Sequence, residues 1–305
     1  MRWMKEQRIG FSVQSVGELE RVVRLGANMA ELKLEKFANH GEALYFFDGV
    51  RFTENEPILR RVTAIAKKNN VQIQFHLSVE RCLNSRLDTG INVSFLSHHR
   101  IAIKRFCFLE KICRKYGIGR VITMHPPAIS FKGLRFATNS LATTNSKIFF
   151  DRLDKIRLRC KHRTLIGVEN MTSVKYKAGN LGYKTRHFKG MLRDTRTFGL
   201  TIDTGHRLLT GFGDDDRVFH IRELLGLGFP PVNFHFHGNE GKFNYIDWGD
   251  DQHEFPSKDN VKGFKNFLRY FRRNRTPVVL EISNLHKRTN QEIQEFLVEF
   301  RGMLV

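Results

Sequence analysis

Nine acidic or imidazole side chains recur just after short apolar runs: His76 after QIQF, His125 after VITM, Glu169 after IGV, Asp203 and His206 in LTIDTGH, His235 in VNFHFH, Asp251 and His253 in DDQHEF, and Glu281 after VVL. Each alone has an ordinary explanation. A His after a strand is commonly a hydrogen-bonded structural residue, and Asp203 is placed to cap the turn through Thr204 and Gly205. The set as a whole resists that explanation. Four carboxylates gathered at one mouth repel one another, and each buried one without a partner costs several kcal/mol. Divalent cations supply the missing charge. Imidazole with carboxylate is a borderline ligand set that suits zinc, with manganese or iron as further options.

A single architecture brings such distant residues together. Eight apolar, β-branched runs read as strands: 8–13, 29–34, 71–75, 120–124, 164–168, 200–202, 232–236 and 277–280. Helix-period segments follow most of them. Ser15 with Glu18 forms a capping box, with Gly26 at the far end; further helices are expected over 57–69, 99–116, 145–160, 185–197, 215–225, 258–273 and 290–303. Eight strands alternating with helices predict a single-domain α/β fold over 1–305, a (β/α)8 TIM barrel with its chemistry at the C-terminal ends of the strands. An open doubly wound sheet is the competing arrangement.

Composition narrows the function classes. The chain has 305 residues, 41% hydrophobic and 27% charged, enough to build a full core and unlike a disordered or low-complexity segment. Lys plus Arg number 51 against 31 Asp plus Glu, a net charge of +20, which points to a polyanionic partner, most simply nucleic acid. The alternative is that the surplus sits on solvated helix faces. Cys82, Cys107, Cys113 and Cys160 form no CxxC pair and read as reduced thiols. No apolar run approaches the ~20 residues of a membrane span. A soluble, intracellular, monomeric protein with no membrane partner is expected.

The ordered pieces FHLS, MHPP, VEN, IDTGH, FHFHGN, DQH and LE resemble the endonuclease IV family, apurinic/apyrimidinic endonucleases within the xylose-isomerase-like barrel superfamily. The resemblance runs from RIGFSV to VVLEI, nearly the whole chain. It implies three zinc ions. His76 and His125 would hold one, with Glu169 bridging to a second. Glu169, Asp203, His235 and Glu281 would hold the second, and His206, Asp251 and His253 the third. It further implies DNA-repair incision of duplex DNA 5′ to abasic or otherwise damaged sites. A metal-bound hydroxide would attack phosphorus, with Glu169 as the catalytic bridging carboxylate.

Some residues depart from that pattern. Val79 stands where the family carries an aromatic lesion probe, Ser12 where it has a His, and EFPS follows the DxH pair. Glu31 is closer to the sugar isomerase relatives. RIGFSVQS is also similar to the ultraviolet-damage endonucleases, but those carry a Lys before the His of strand seven, where this chain has Phe234. A sugar isomerase or epimerase on the same barrel would need one or two metals and would have no use for His76, His125 and the DxH pair together.

Candidate DNA contacts are Lys175, Lys177, Lys184 and Arg186 in the loop after run five, with Trp248 in a top-face loop; Tyr176, Tyr183 and Phe131 are further stacking candidates. The basic groups around Arg100, Lys104 and Arg105, and from Arg157 to Arg163, are possible backbone contacts. His237 alternates with His235 and shares its face, either supporting the ligands or packed neutral. His98, His99 and His286 read as surface.

Overall fold

The computed structural model describes residues 7–77, 92–131, 134–135, 137–160, 164–171, 178–182, 184–208, 221–238, 253–255, 270, 273–283 and 285–303. Eight parallel strands close into a barrel: β1 (Ile9–Val13), β2 (Met29–Lys33), β3 (Gln72–Leu77), β4 (Val121–Met124), β5 (Leu165–Glu169), β6 (Phe198–Asp203), β7 (Pro231–Phe236) and β8 (Val278–Leu280). The ring closes where β1 pairs with β8, Ile9 opposite Val278. The expected TIM barrel is therefore the fold, and the open sheet is excluded.

Alternation along the strands makes two interiors. One set of residues, including Phe11, Phe75, Phe234 and Phe236, is fully buried in the apolar core, and Phe236 meets Phe300 on the C-terminal helix Asn290–Met303 with ring centroids 5.6 Å apart. The other set faces the barrel axis and is polar: Ser12, Glu31, Gln74, Thr123, Thr201 and Asn233 are all buried. Thr123 Oγ1 lies 3.1 Å from Thr201 Oγ1 and donates to Glu31 Oε2 at 3.1 Å. This layer is the floor of the site above it.

Several element boundaries differ from expectation. The helix placed at 145–160 begins at Asn139, because Thr138 Oγ1 accepts from the Leu141 N–H and caps a first turn of polar residues that read as loop. The helix placed at 185–197 stops at Leu192. Asp194 turns to φ 72°, and the N–H groups of Arg196 and Thr197 donate to Asp154 Oδ1 instead of continuing the helix. Two small sheets were not expected: the hairpin Tyr45–Phe47 with Phe52–Glu54, and a three-stranded sheet of Ala178–Asn180, Ala128–Phe131 and Leu134–Arg135. Their strands are too short to show a period. Most of the expected helices 258–273 and 215–225 lies outside the described residues.

Three residues, His99 expected at the surface and Arg105 and Arg157 expected against a DNA backbone, are structural. His99 is buried, its Nε2 2.9 Å from Val93 O. Arg105 donates from Nε to Tyr45 Oη at 2.6 Å, and Arg157 pairs with Glu110 with both side chains buried. All three sit on helix faces turned toward the barrel, where charge count alone does not distinguish inside from outside. Among the described cysteines, Cys113 is buried, Cys107 half-buried and Cys160 exposed, and all are free.

Candidate metal centre

The strand ends deliver the expected residues to one place. His76 comes from β3, His125 from just past β4, Glu169 ends β5, Asp203 ends β6, His235 lies in β7 and Glu281 follows β8. Glu169 is central and fully buried. Its Oε2 is 3.3 Å from Nε2 of both His76 and His125. Its Oε1 is 3.1 Å from His235 Nδ1 and 3.5 Å from His206 Nδ1. One carboxylate thus turns its two oxygens toward two different donor groups.

Four metal-type groups result among the described residues, each with ligand atoms mutually within 4.8 Å: His76, His125 and Glu169; Glu169, Asp203, His235 and Glu281; His206, His237 and His253; and Glu31, His76 and His235. The first two coincide with the expected sets. The third joins the expected His206 and His253 with His237, whose ring stacks on His253 at 3.9 Å between centroids. Asp251, the other expected member, lies outside the described residues, as do Lys175, Lys177 and Trp248. Lys184 and Arg186 are exposed on the rim after β5.

The donor set fits divalent cations. Asp203 Oδ2 and Glu281 Oε2 are buried with no hydrogen-bond partner, and Glu281 Oε2 is 3.0 Å from His235 Nδ1. Asp203 Oδ1, by contrast, accepts from the His206 N–H at 2.8 Å, so the turn-capping role holds for one oxygen and leaves the other aimed into the site. Electrostatics agree. Burial pulls His235 down, yet Glu31, Glu169 and Glu281 outweigh it and hold the imidazole well above its ordinary value. Burial pushes Glu169 up, but His235, with hydrogen bonds from His125 and His76, keeps it well below the usual carboxylate range. Glu281 is held down likewise, against burial, by Lys33, His253 and His235. A proton on His235 here stands where a cation would relieve the same carboxylates.

Backbone clamps fix the candidate ligands. Asn170 accepts from the Asp203 N–H at 2.7 Å and donates to the Asp203 carbonyl at 2.8 Å, while its own carbonyl is 2.9 Å from His206 Nδ1. His253 Nδ1 is 2.9 Å from the Glu281 carbonyl.

Sequence reasoning misses four contributors. Asn170 is part of VEN but carries no expected role, and His237 has an open one. Lys33 escapes because the apolar run continues through Leu34, whereas β2 ends at Lys33 and its Nζ lies 2.5 Å from Glu281 Oε1. Glu31 stands out in the sequence only for its likeness to the isomerase relatives; it lies 3.1 Å from His235 Nε2. Two-residue spacing in β2 is the available signal for both.

No family model matches the chain, and no curated protein matches it. Solved structures do. A D-tagatose 3-epimerase-like protein aligns with TM-score 0.69 at 15% identity, covering 97% of this chain and 98% of that one. D-psicose 3-epimerase from Clostridium cellulolyticum H10 gives 0.66 at 12%, covering 97% and 99%. IolI with a bound zinc atom gives 0.63 at 13%, covering 98% of both. This chain thus shares a closed (β/α)8 barrel with these structures. At such identities the likeness concerns fold, and it does not place the chain in the endonuclease IV family.

Proposed function

We propose that this protein is a metal-dependent phosphodiesterase, an endonuclease incising duplex DNA 5′ to abasic sites. The observation that carries the reading is Glu169 facing two donor groups at once, with a third histidine group alongside. That is more ligand capacity than a one-metal site uses. Bound ions, zinc foremost, would supply a nucleophile at neutral pH and offset phosphoryl charge. The chain's own residues do the rest. Glu169 keeps the donor groups in register, His206 and His253 extend the site toward the rim, and Lys184 with Arg186 offers cations to the DNA backbone. The net charge of +20 supports a polyanionic substrate.

A second reading is a sugar epimerase or isomerase. The names of the fold neighbours favour it, and the group Glu169, Asp203, His235 and Glu281 on its own is sufficient for a one-metal enzyme. Two measurements separate the readings. Metal analysis of the purified chain should give more than one ion, and a duplex with one abasic-site analogue should be cut on its 5′ side, with cutting lost slowly to a chelator. One ion per chain with ketose epimerisation and no cutting would establish the second reading in place of the first.

A further inference from the structure

Strand β2 supplies none of the expected ligands, yet Glu31 and Lys33, two residues apart, both face the axis; Glu31 reaches His235 on β7, with which and with His76 it also forms a metal-type group, and Lys33 reaches Glu281 after β8. We infer that β2 is a positioning strand, in which Glu31 sets the orientation of His235 and Lys33 that of Glu281. The inference rests on the site being a metal centre, whichever reaction it serves.

Glu31 is fully buried, and its Oε2 gathers three contacts. Thr123 Oγ1 donates at 3.1 Å, Asn233 Nδ2 donates at 2.9 Å, and His235 Nε2 lies at 3.1 Å. A carboxylate oxygen only accepts, so the His235 contact requires the hydrogen on Nε2. Nδ1 is then the nitrogen that faces the ligand cluster, with Glu169 Oε1 at 3.1 Å and Glu281 Oε2 at 3.0 Å; it holds a proton against those carboxylates in the metal-free chain, and a cation that displaced that proton would meet its lone pair. A carboxylate behind a ligating histidine both fixes its tautomer and raises its basicity.

Lys33 acts on the other neighbour. Its ammonium holds Glu281 Oε1 at 2.5 Å, while Glu281 Oε2 has no hydrogen-bond partner and points to His235 Nδ1. One oxygen is occupied by the lysine and one is left for a cation, so Glu281 is restricted to single-oxygen ligation. The Lys33 side chain is 22% exposed, which places it at the mouth, where a substitution need not disturb the core.

The test is titration of the full-length, metal-free chain with Co2+ and with Zn2+, comparing wild type, Glu31→Met and Lys33→Met. Each variant should bind about 10–100-fold more weakly at the four-ligand group. Each should also alter the cobalt visible spectrum, which a purely structural role would leave unmoved. In zinc-loaded protein, 15N-histidine spectra should show the Nε2 hydrogen of His235 strongly hydrogen-bonded and slow to exchange in wild type, and shifted upfield and faster to exchange in Glu31→Met. If Glu31→Met fails to fold, Lys33→Met decides alone. Variants that titrate like wild type, with an unchanged cobalt spectrum, would overturn the inference and leave the metal centre standing. A wild-type chain that takes up neither ion would overturn both.

Discussion

Gly205 lies against His237 so closely that a Cβ on residue 205 would stand 1.8 Å from the imidazole Cε1. Gly205 opens the short helix that carries His206, and His237 stacks on His253. The glycine is therefore what lets three histidines from separate segments share one place. Gly205→Ala should displace His237 and lower the ion content by about one per chain. Elemental analysis of the variant, with the circular dichroism spectrum as a check of fold, measures this. An unchanged ion count would remove His237 from the site.

Glu169 is the shared side chain of two donor groups. Glu169→Gln should reduce cleavage of the abasic duplex by more than about 10²-fold, the scale of removing a single electrostatic interaction from an active site. DNA affinity, measured by fluorescence anisotropy, should change little. Cleavage at the wild-type rate would argue against the bridging role.

The metal-free protein should have a distinctive pH profile. His235 is raised from 6.5 in the folded chain, so its stabilising contribution is complete below pH 6.5 and is lost as pH rises through the folded value. Glu169 and Glu281 are depressed from 4.5, so theirs is present above pH 4.5 and lost as pH falls through the folded values. Tm of the metal-free chain should peak between those limits and decline toward pH 9, with a slope of at most about 1.4 kcal/mol per pH unit from His235. Zinc should flatten the alkaline decline, since a ligating histidine is already neutral there. Differential scanning calorimetry across pH 4–9, with and without zinc, checks both statements.

Basic residues should separate into two kinds. Arg157 and Glu110 are paired with both side chains almost wholly buried, so Arg157→Met strands a buried carboxylate and should cost about 3–5 kcal/mol in urea unfolding. Lys184 and Arg186 are exposed, so their joint replacement by Ala should leave stability within about 0.5 kcal/mol. It should also lower the slope of log affinity against log salt by about one for each phosphate that is no longer neutralised. A salt slope unmoved by the double variant would remove Lys184 and Arg186 from the proposed DNA contact.

The architecture and the meeting of the strand-end residues were legible because both follow from one rule. In a parallel barrel the position after each apolar run is a strand end, and strand ends meet. His76, His125, Glu169, Asp203 and Glu281 were found that way. What escaped had no such signature. Lys33 was hidden by one extra apolar residue, Leu34, which made β2 look longer than it is. His99, Arg105 and Arg157 lie on amphipathic helices whose inward stripe includes polar positions, and only tertiary partners such as Tyr45 and Glu110 reveal them. The helix end at Leu192 depended on Asp154, some forty residues upstream, which no local pattern contains.

Ring closure has a temporal consequence. His76, His125 and Glu169 lie in the first six-tenths of the chain, whereas Glu281 follows β8, the strand that pairs back onto β1. During synthesis the early histidines emerge long before the last acid, so the four-ligand group cannot assemble until β8 and Glu281 have been made. Ion capture by that group would then wait on closure of the ring, and a product lacking the last barrel strand would be left without it.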